Sequence, residues 1–98
     1  MIKRIVKMVF RADATDEFLH IFDNGCEQIR ASEGCHYLEL IHDKNDPRIF
    51  FTISIWEHED ALNAYRKSDL FRRTWAATKV LFDDAPIAWS TESHRRLD

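Results

Sequence analysis

The segment IFFTISIW, residues 49–56, constrains the possible folds more than any other part of the chain. Its β-branched and aromatic residues predict a β-strand. Because successive side chains of a strand point to opposite faces, the segment has two faces that can be read separately. One face carries Ile49, Phe51, Ile53 and Ile55, and the other carries Phe50, Thr52, Ser54 and Trp56. Neither is a clean polar face, so we expect this strand to be covered on both sides.

Three further strands and three helical segments are predicted around it. Strands are expected over residues 2–11, 35–43 and 87–93, and helices over residues 15–33, 57–68 and 69–81. Thr15 and Ser68 are the expected N-caps, and residues 83–86, which end in Pro, are expected to break the last helix. The order β-α-β-β-α-β, with the second helix in two pieces, predicts a ferredoxin-like α+β fold with one antiparallel sheet. One domain is expected over residues 1–98, with a polar tail from about residue 94.

Composition and charge argue against several classes of function. The formal net charge is −3, and no stripe of Lys or Arg indicates a nucleic-acid partner. No apolar run is long enough to span a bilayer, and Lys3, Arg4 and Lys7 interrupt the first apolar segment. We therefore expect a cytoplasmic protein without a membrane or nucleic-acid partner. Cys26 and Cys35 fit no zinc or redox spacing and are interpreted as buried structural thiols, so no metal site is expected.

The strands also predict self-association. Helices can cover only one face of a four-stranded sheet, and the other face is left for solvent or for a partner. In the first strand Val6 and Met8 alternate with Ile5 and Val9, so that strand also lacks a polar face. An identical sheet is the simplest partner for an apolar sheet face, and we expect a homodimer formed through the sheets.

The stretch of sequence from Gly34 to Trp75 carries a recognisable pattern. Its elements are Gly34-Cys35 at the start of a strand, the Asp-rich turn 43–47, Trp56 at the end of the next strand, and Ala61-Leu62 and Tyr65 on a helix. This pattern resembles the antibiotic biosynthesis monooxygenase family. The resemblance implies a dimeric α+β barrel in which two sheets pack face to face. It also implies a pocket between each sheet and its own helices.

The resemblance implies a type of chemistry as well. Some members of the family oxidise quinols or polyketide aromatics with dioxygen and no cofactor, and others degrade haem. The haem-degrading members use an Asn on the first strand, a Trp on the short helix and a His ligand on the next helix. The matching positions here are Lys7 or Met8, Tyr65 and Trp75. Because an indole cannot ligate iron, haem degradation by this route is not expected.

An aromatic set is the main candidate for a substrate site. Its members are Trp56, Tyr65, Phe71 and Trp75, with Thr52 and Ser54 on the strand face of Trp56. Aromatic walls with a few polar groups suit a flat aromatic ligand. Tyr65 is a candidate catalytic hydrogen-bond donor, and His36 is a candidate general base. The alternative is that the aromatic set is ordinary core between helices and sheet, and that His36 lies at the surface or in an interface.

Three functions are compatible with these residues. The first is a cofactor-independent monooxygenase that acts on an aromatic or quinol-like small molecule. The second is a non-catalytic dimer that binds a small aromatic molecule, because no residue here is indispensable to chemistry as a metal-binding triad would be. The third is haem binding without degradation. Oxygen consumption in the presence of a bound ligand separates the first two, and a haem absorption band on titration with hemin identifies the third.

Overall fold

The computed structural model describes all 98 residues as a four-stranded antiparallel sheet with three helices. The elements in chain order are β1 (Ile2–Phe10), α1 (Thr15–Arg30), β2 (Cys35–His42), β3 (Ile49–Trp56), α2 (Glu59–Arg66), α3 (Asp69–Lys79) and β4 (Phe82–Thr91). The strands are arranged β2-β3-β1-β4, with β2 and β4 at the edges. This arrangement confirms the predicted ferredoxin-like α+β fold with the second helix in two pieces. No helix is long and apolar enough to cross a membrane.

The strand register fixes which side chains share a face of the sheet. On the face away from the helices, Ile5 pairs with Ile53 in β3 and with Trp89 in β4. Next to this row, Phe51 pairs with Lys7 and with Ile41. We call this side the outer face. Trp89 remains 45% exposed there, so the outer face carries large apolar side chains in contact with solvent.

The helix-covered face, here called the inner face, contains two separate hydrophobic clusters. The first comprises Met8, Phe10, Ala14, Phe18, Phe50 and Leu81. The second comprises Cys35, Trp56, Ala61 and Leu62. Phe50 and Trp56 stand near the two ends of the same strand, β3, so the clusters occupy opposite ends of the inner face. The interior between them is therefore not closed by one continuous core.

The N-terminus of α1 differs from the sequence prediction. Thr15 was expected as the N-cap, but it is the first helical residue, and Ala14 precedes the helix without a capping side chain. The helical spacing of Phe18, Phe22, Cys26 and Ile29 predicts an apolar stripe on α1. The buried stripe is shifted from it, because Gly25 rather than Cys26 is buried between Phe18 and Ile29. Gly25 faces Thr74 of α3, where a Cβ atom would lie 3.8 Å from the Thr74 hydroxyl oxygen. Contact between α1 and α3 thus accounts for the burial of Gly25.

This shift also corrects the interpretation of the cysteines. Cys35 is buried in the second cluster, as expected, and burial raises the pKa of its thiol. Cys26 is only partly buried, and its thiol donates a hydrogen bond to the backbone oxygen of Asp23 at 3.6 Å. The prediction of two buried thiols is therefore right for Cys35 and wrong for Cys26.

The last strand begins earlier than the sequence indicates. Residues 83–86 were expected to separate α3 from a strand starting at residue 87, but β4 runs from Phe82 and includes Pro86. Proline lacks an N–H group and is tolerated where a strand has an unpaired edge or an irregular register. Both conditions hold here, since β4 is an edge strand and its pairing with β1 shifts register between Lys7 and Val9.

A close contact between backbone and helix explains one part of the family pattern. Gly34 has a φ of 79°, which L-residues with a side chain rarely adopt. A Cβ atom at this position would lie 2.5 Å from the Cβ atom of Ala61 in α2. The Gly34 carbonyl oxygen also accepts a hydrogen bond from the Glu57 N–H group at 2.8 Å. Two small residues that are distant in sequence therefore allow α2 to lie against the start of β2.

Candidate functional site

A cavity of about 320 Å³ lies on the inner face and is lined by members of both hydrophobic clusters. Met8 and Phe18 contribute from the first cluster, and Trp56 and Leu62 from the second. Protein interiors are normally packed to the density of organic crystals, so a space of this size in a small domain is not a packing imperfection. Its volume falls within the range of about 300–1000 Å³ that is typical of ligand sites.

A continuous row of aromatic rings forms one wall of the cavity. Trp56 stacks on Tyr65 with ring centroids 4.9 Å apart, and Tyr65 meets Phe71 edge-on at 5.3 Å. Phe71 in turn stacks on Trp75 at 5.9 Å with only 9° between the ring planes. All four rings line the cavity, so the structure brings the predicted aromatic set together. These rings are also packed on one another, and they serve as core and as cavity wall.

The junction between α2 and α3 positions two of these rings. Ser68 is the N-cap of α3, as predicted, and its hydroxyl accepts a hydrogen bond from the Phe71 N–H group at 3.1 Å. The same hydroxyl donates to the backbone oxygen of Tyr65 at 2.6 Å. A single side chain thereby links the end of α2 to the start of α3. His58, for which no role was predicted, caps α2, because its Nδ1 atom accepts a hydrogen bond from the Ala61 N–H group.

The strand side of the cavity is lined by the short polar residues of β3. Thr52 and Ser54 both face the cavity, as the alternation of the strand requires. The Ser54 hydroxyl oxygen accepts a hydrogen bond from the Trp56 indole N–H group at 2.9 Å. Trp56 is only 1% exposed, so this bond satisfies a buried donor and fixes the ring. Ser54 is thus a positioning residue for Trp56.

Tyr65 keeps its hydroxyl group free of protein partners. Its phenol oxygen makes no hydrogen bond to the protein and is not fully buried, and the side chain lines the cavity. Burial raises the pKa of Tyr65 to about 12, with a smaller contribution from Cys35. The phenol is therefore protonated at neutral pH. It can donate a hydrogen bond to a ligand oxygen, but it cannot serve as a base.

Two arginines that were not predicted as site residues also line the cavity. Arg4 of β1 donates a hydrogen bond to the Ser90 hydroxyl oxygen at 2.9 Å, and Arg66 ends α2. Burial lowers the pKa of the Arg4 guanidinium, and the nearby charge of Arg66 lowers it further. The alternation of β1 contained the signal, because Arg4 lies on the same face as Val6 and Met8 and is therefore directed inward.

His36 is not brought to the cavity. The pairing of β2 with β3 shifts register between Cys35 and Tyr37, which leaves His36 at an irregular position of an edge strand. It is exposed and does not line the cavity, so the structure gives no support to a general-base role for it. No group of three His, Cys, Asp or Glu side chains is arranged to hold a metal ion.

The haem-degrading pattern can be compared with this geometry. The positions of the expected helical Trp and His are Tyr65 and Trp75, and both line the cavity. No histidine or cysteine is among the lining residues, and an indole offers iron no lone pair. The residues that line the cavity therefore do not match the haem site of the haem-degrading members.

Comparison with known proteins identifies the family. The profile of the antibiotic biosynthesis monooxygenase family matches residues 1–77. The chain belongs to this family. A comparison with curated protein sequences gave no significant match. Family membership therefore rests on the profile, and the detailed evidence for the fold comes from solved structures.

Three solved structures illustrate how fully the fold is shared. A crystal structure of an antibiotic biosynthesis monooxygenase superposes with a TM-score of 0.91 at 21% identity, covering 97% of this chain and 100% of the other. A conserved protein from Methanosarcina mazei Go1 gives 0.88 at 19% identity, with 92% and 89% covered. SnoaB, a cofactor-independent oxygenase from Streptomyces nogalater, gives 0.87 at 14% identity, with 98% and 95% covered. At these identities the likeness establishes the fold of the family, including β4 beyond residue 77.

Proposed function

We propose that this protein is a cofactor-independent monooxygenase that acts on an aromatic or quinol-like small molecule bound in the inner-face cavity. The observation that carries the proposal is the row of rings from Trp56 to Trp75, which lines a cavity of about 320 Å³ in a chain of this family. The name of SnoaB describes a cofactor-independent oxygenase with the same fold. In such a reaction the substrate anion supplies the electrons to dioxygen. One oxygen atom enters the substrate and the other leaves as water.

The residues of the cavity suit this task in three ways. Ring stacking against Trp56, Tyr65, Phe71 and Trp75 would hold a flat substrate. The free Tyr65 hydroxyl would donate a hydrogen bond to a substrate oxygen as negative charge develops there. Thr52 would provide a further polar contact from the strand side. The enclosing helices would limit the access of water to a reactive anion.

We also propose that the working form is a homodimer joined through the outer faces of the sheets. Trp89 and Ile87 are 45% and 48% exposed there, and Tyr37 and Ile41 are 41% and 37% exposed. Two sheets packed face to face would remove these apolar side chains from water and would leave the cavity, on the inner face, unobstructed. We further propose that the dimer is cytoplasmic, as expected from the sequence.

The test is oxygen uptake with the purified protein and a panel of reduced quinones and polycyclic phenols, compared with uncatalysed autoxidation. We expect turnover without added flavin, haem or metal. Loss of one hydrogen bond to a charged oxygen should lower kcat/KM about tenfold in Tyr65→Phe. Trp75→Ala should raise KM by removing a stacking surface. Tyr37→Phe, which removes a tyrosine hydroxyl from outside the cavity, is the matched control, and sedimentation checks that its oligomeric state is unchanged because Tyr37 lies on the proposed interface.

A second candidate function is non-catalytic binding of a small aromatic molecule. The observation that favours it is the lack of any lining side chain able to act as a base at neutral pH. Ligand binding without oxygen uptake would replace the first proposal by the second. Turnover of a true substrate that is unchanged in Tyr65→Phe and Trp75→Ala would instead refute the assignment of these residues.

A further inference from the structure

The cavity is positively charged, although the chain as a whole is negatively charged. The formal net charge of the chain is −3. Among the lining residues, the only ionisable side chains are Arg4, Tyr65 and Arg66, and none is Asp, Glu, His or Lys. Tyr65 is neutral at physiological pH, which lies far below its pKa of about 12. Two guanidinium groups therefore stand at the cavity without a carboxylate among its lining residues.

Neither of these two arginines forms an ion pair with an acidic side chain. Arg11, Arg48, Arg72 and Arg96 each form an ion pair with an aspartate. Arg4 instead contacts only the neutral Ser90 hydroxyl, and Arg66 makes no side-chain hydrogen bond. Because like charges close together disfavour each other, an arginine pair of this kind, in which Arg4 is partly buried and Arg66 is exposed, is stabilised by a bound anion. Guanidinium groups are well suited to bind the oxygens of such an anion.

We propose that the ligand of the cavity is an aromatic anion whose charged oxygen lies between Arg4 and Arg66 while its ring stacks on the aromatic wall. The inference rests on the proposed function only in taking the cavity as the ligand site. The charged group is a carboxylate or an ionised phenol or enol, which share the same oxygen chemistry. Both would explain why an apolar cavity has two arginines at its margin.

The same arrangement determines how an oxidisable substrate becomes ionised. None of the lining residues offers a carboxylate or an imidazole to remove a proton. The positive charge of the two arginines stabilises the anionic form of a bound phenol, and the released proton passes to solvent. Ionisation then follows from a lowered substrate pKa and requires no protein base.

The experiment compares an anion with its neutral analogue. Naphthoate and naphthamide have the same ring system and nearly the same shape, and they differ in charge. Calorimetric titration of the wild-type protein should give a preference for naphthoate of about tenfold or more, as expected for hydrogen bonds to a charged group. Arg4→Gln and Arg66→Gln should each reduce this preference about tenfold. Gln keeps a planar polar group but removes the positive charge, and circular dichroism checks that each variant is folded.

Arg73→Gln is the matched control. Arg73 is exposed on α3 and does not line the cavity, so its removal changes the net charge equally without altering the site. Naphthoate preference should be unchanged in this variant. Equal binding of naphthamide and naphthoate by the wild-type protein, or failure of naphthoate to bind, would overturn the inference without any use of a variant.

A second probe distinguishes the two sources of the charge. Para-nitrophenol reports its own ionisation by its visible absorbance. If binding lowers the pKa of para-nitrophenol, and Arg4→Gln and Arg66→Gln return that pKa to its value in free solution, the site is assigned to ionisable phenols or enols. Naphthoate selectivity with an unchanged para-nitrophenol pKa assigns it to carboxylates. Selective naphthoate binding without oxygen uptake by any substrate would refute the proposed catalysis and leave the anion site standing.

Discussion

Replacement of Gly34 by alanine is the sharpest test of how the site is assembled. Two independent costs are expected from the geometry. A residue with a Cβ atom in the left-handed conformation costs about 1–2 kcal/mol, and Gly34 has a φ of 79°. In addition, the new Cβ atom would lie 2.5 Å from the Cβ atom of Ala61, which is too close without displacement of α2. Overpacking of this kind costs about 1–3 kcal/mol. The sum is about 2–5 kcal/mol of lost unfolding free energy.

A double-mutant cycle separates the two costs. Ala61→Gly alone should destabilise by about 1 kcal/mol through helix propensity, with a further loss of apolar burial. In the double variant the steric contact is absent but the unfavourable φ remains. The Gly34→Ala and Ala61→Gly effects should therefore be less than additive by about 1–3 kcal/mol, the part of the cost that is steric.

Urea denaturation followed by tryptophan fluorescence measures these quantities, at one fixed protein concentration because self-association would contribute to stability. Displacement of α2 would also move Tyr65, so Gly34→Ala should weaken binding of naphthoate and the double variant should recover part of it. A change in unfolding free energy below about 0.5 kcal/mol in Gly34→Ala would refute the reasoning, because surface substitutions typically stay within that range. Strict additivity in the cycle would refute the steric part alone.

Two further predictions concern the outer face and the cavity phenol. Ile53→Asp places a charge at the centre of the outer face and should weaken dimerisation by at least about 2 kcal/mol, as judged by sedimentation equilibrium. Val80→Asp, at the exposed end of α3, is the control. An Ile53→Asp protein that remains fully dimeric would disprove the interface. In a spectrophotometric titration, Tyr65 should ionise near its pKa of about 12 when the protein is folded, above its ordinary value of 10. Because the folded-state pKa is raised, its contribution to stability is present below pH 10 and is lost as the pH rises toward 12. In Tyr65→Phe the Tyr65 part of the high-pH absorbance change should be absent and only that of Tyr37 should remain, whose pKa is also raised by its hydrogen bond to Glu39. Ionisation of both tyrosines near pH 10 in the folded protein would contradict the burial of the Tyr65 phenol.

The order and type of the elements could be predicted because local signals agree with the fold. The β3 boundaries, residues 49–56, match the prediction, since a run of β-branched and aromatic residues has no helical alternative. Ser68 was identified as a cap because a serine before a helical stripe has a local reason to be there. The aromatic set could be predicted for the same reason, with Tyr65, Phe71 and Trp75 at spacings that direct them to one side of adjacent helices.

What the sequence did not reveal depends on contacts between distant segments. Residues 83–86 have the composition of a breaker, and only the edge position of β4 allows Pro86 to lie within a strand. Cys26 was expected to be buried because it lies at helical spacing with Phe22 and Ile29, but α3 packs against Gly25 instead. The role of Arg66 at the cavity follows from where α2 lies over the sheet, which no local pattern specifies.

The two faces of β3 illustrate how one strand can specify both a cavity and a flat surface. On its inner face the large residues Phe50 and Trp56 stand at the ends and belong to the two hydrophobic clusters, while Thr52 and Ser54 stand between them. Because the middle residues are short and polar, helices held apart by the bulky ends cannot close over them, and space remains.

On the outer face of β3 the residues are uniformly large and apolar, so there is no such hollow. The neighbouring strands repeat the distinction, since Ala88 lines the cavity from β4 while Ile87 and Trp89 project on the other side. Neither face of β3 is therefore a clean polar face, but for different physical reasons. The gradient of side-chain size along the inner face, and not hydrophobicity as such, is the feature of the sequence that leaves room for a ligand.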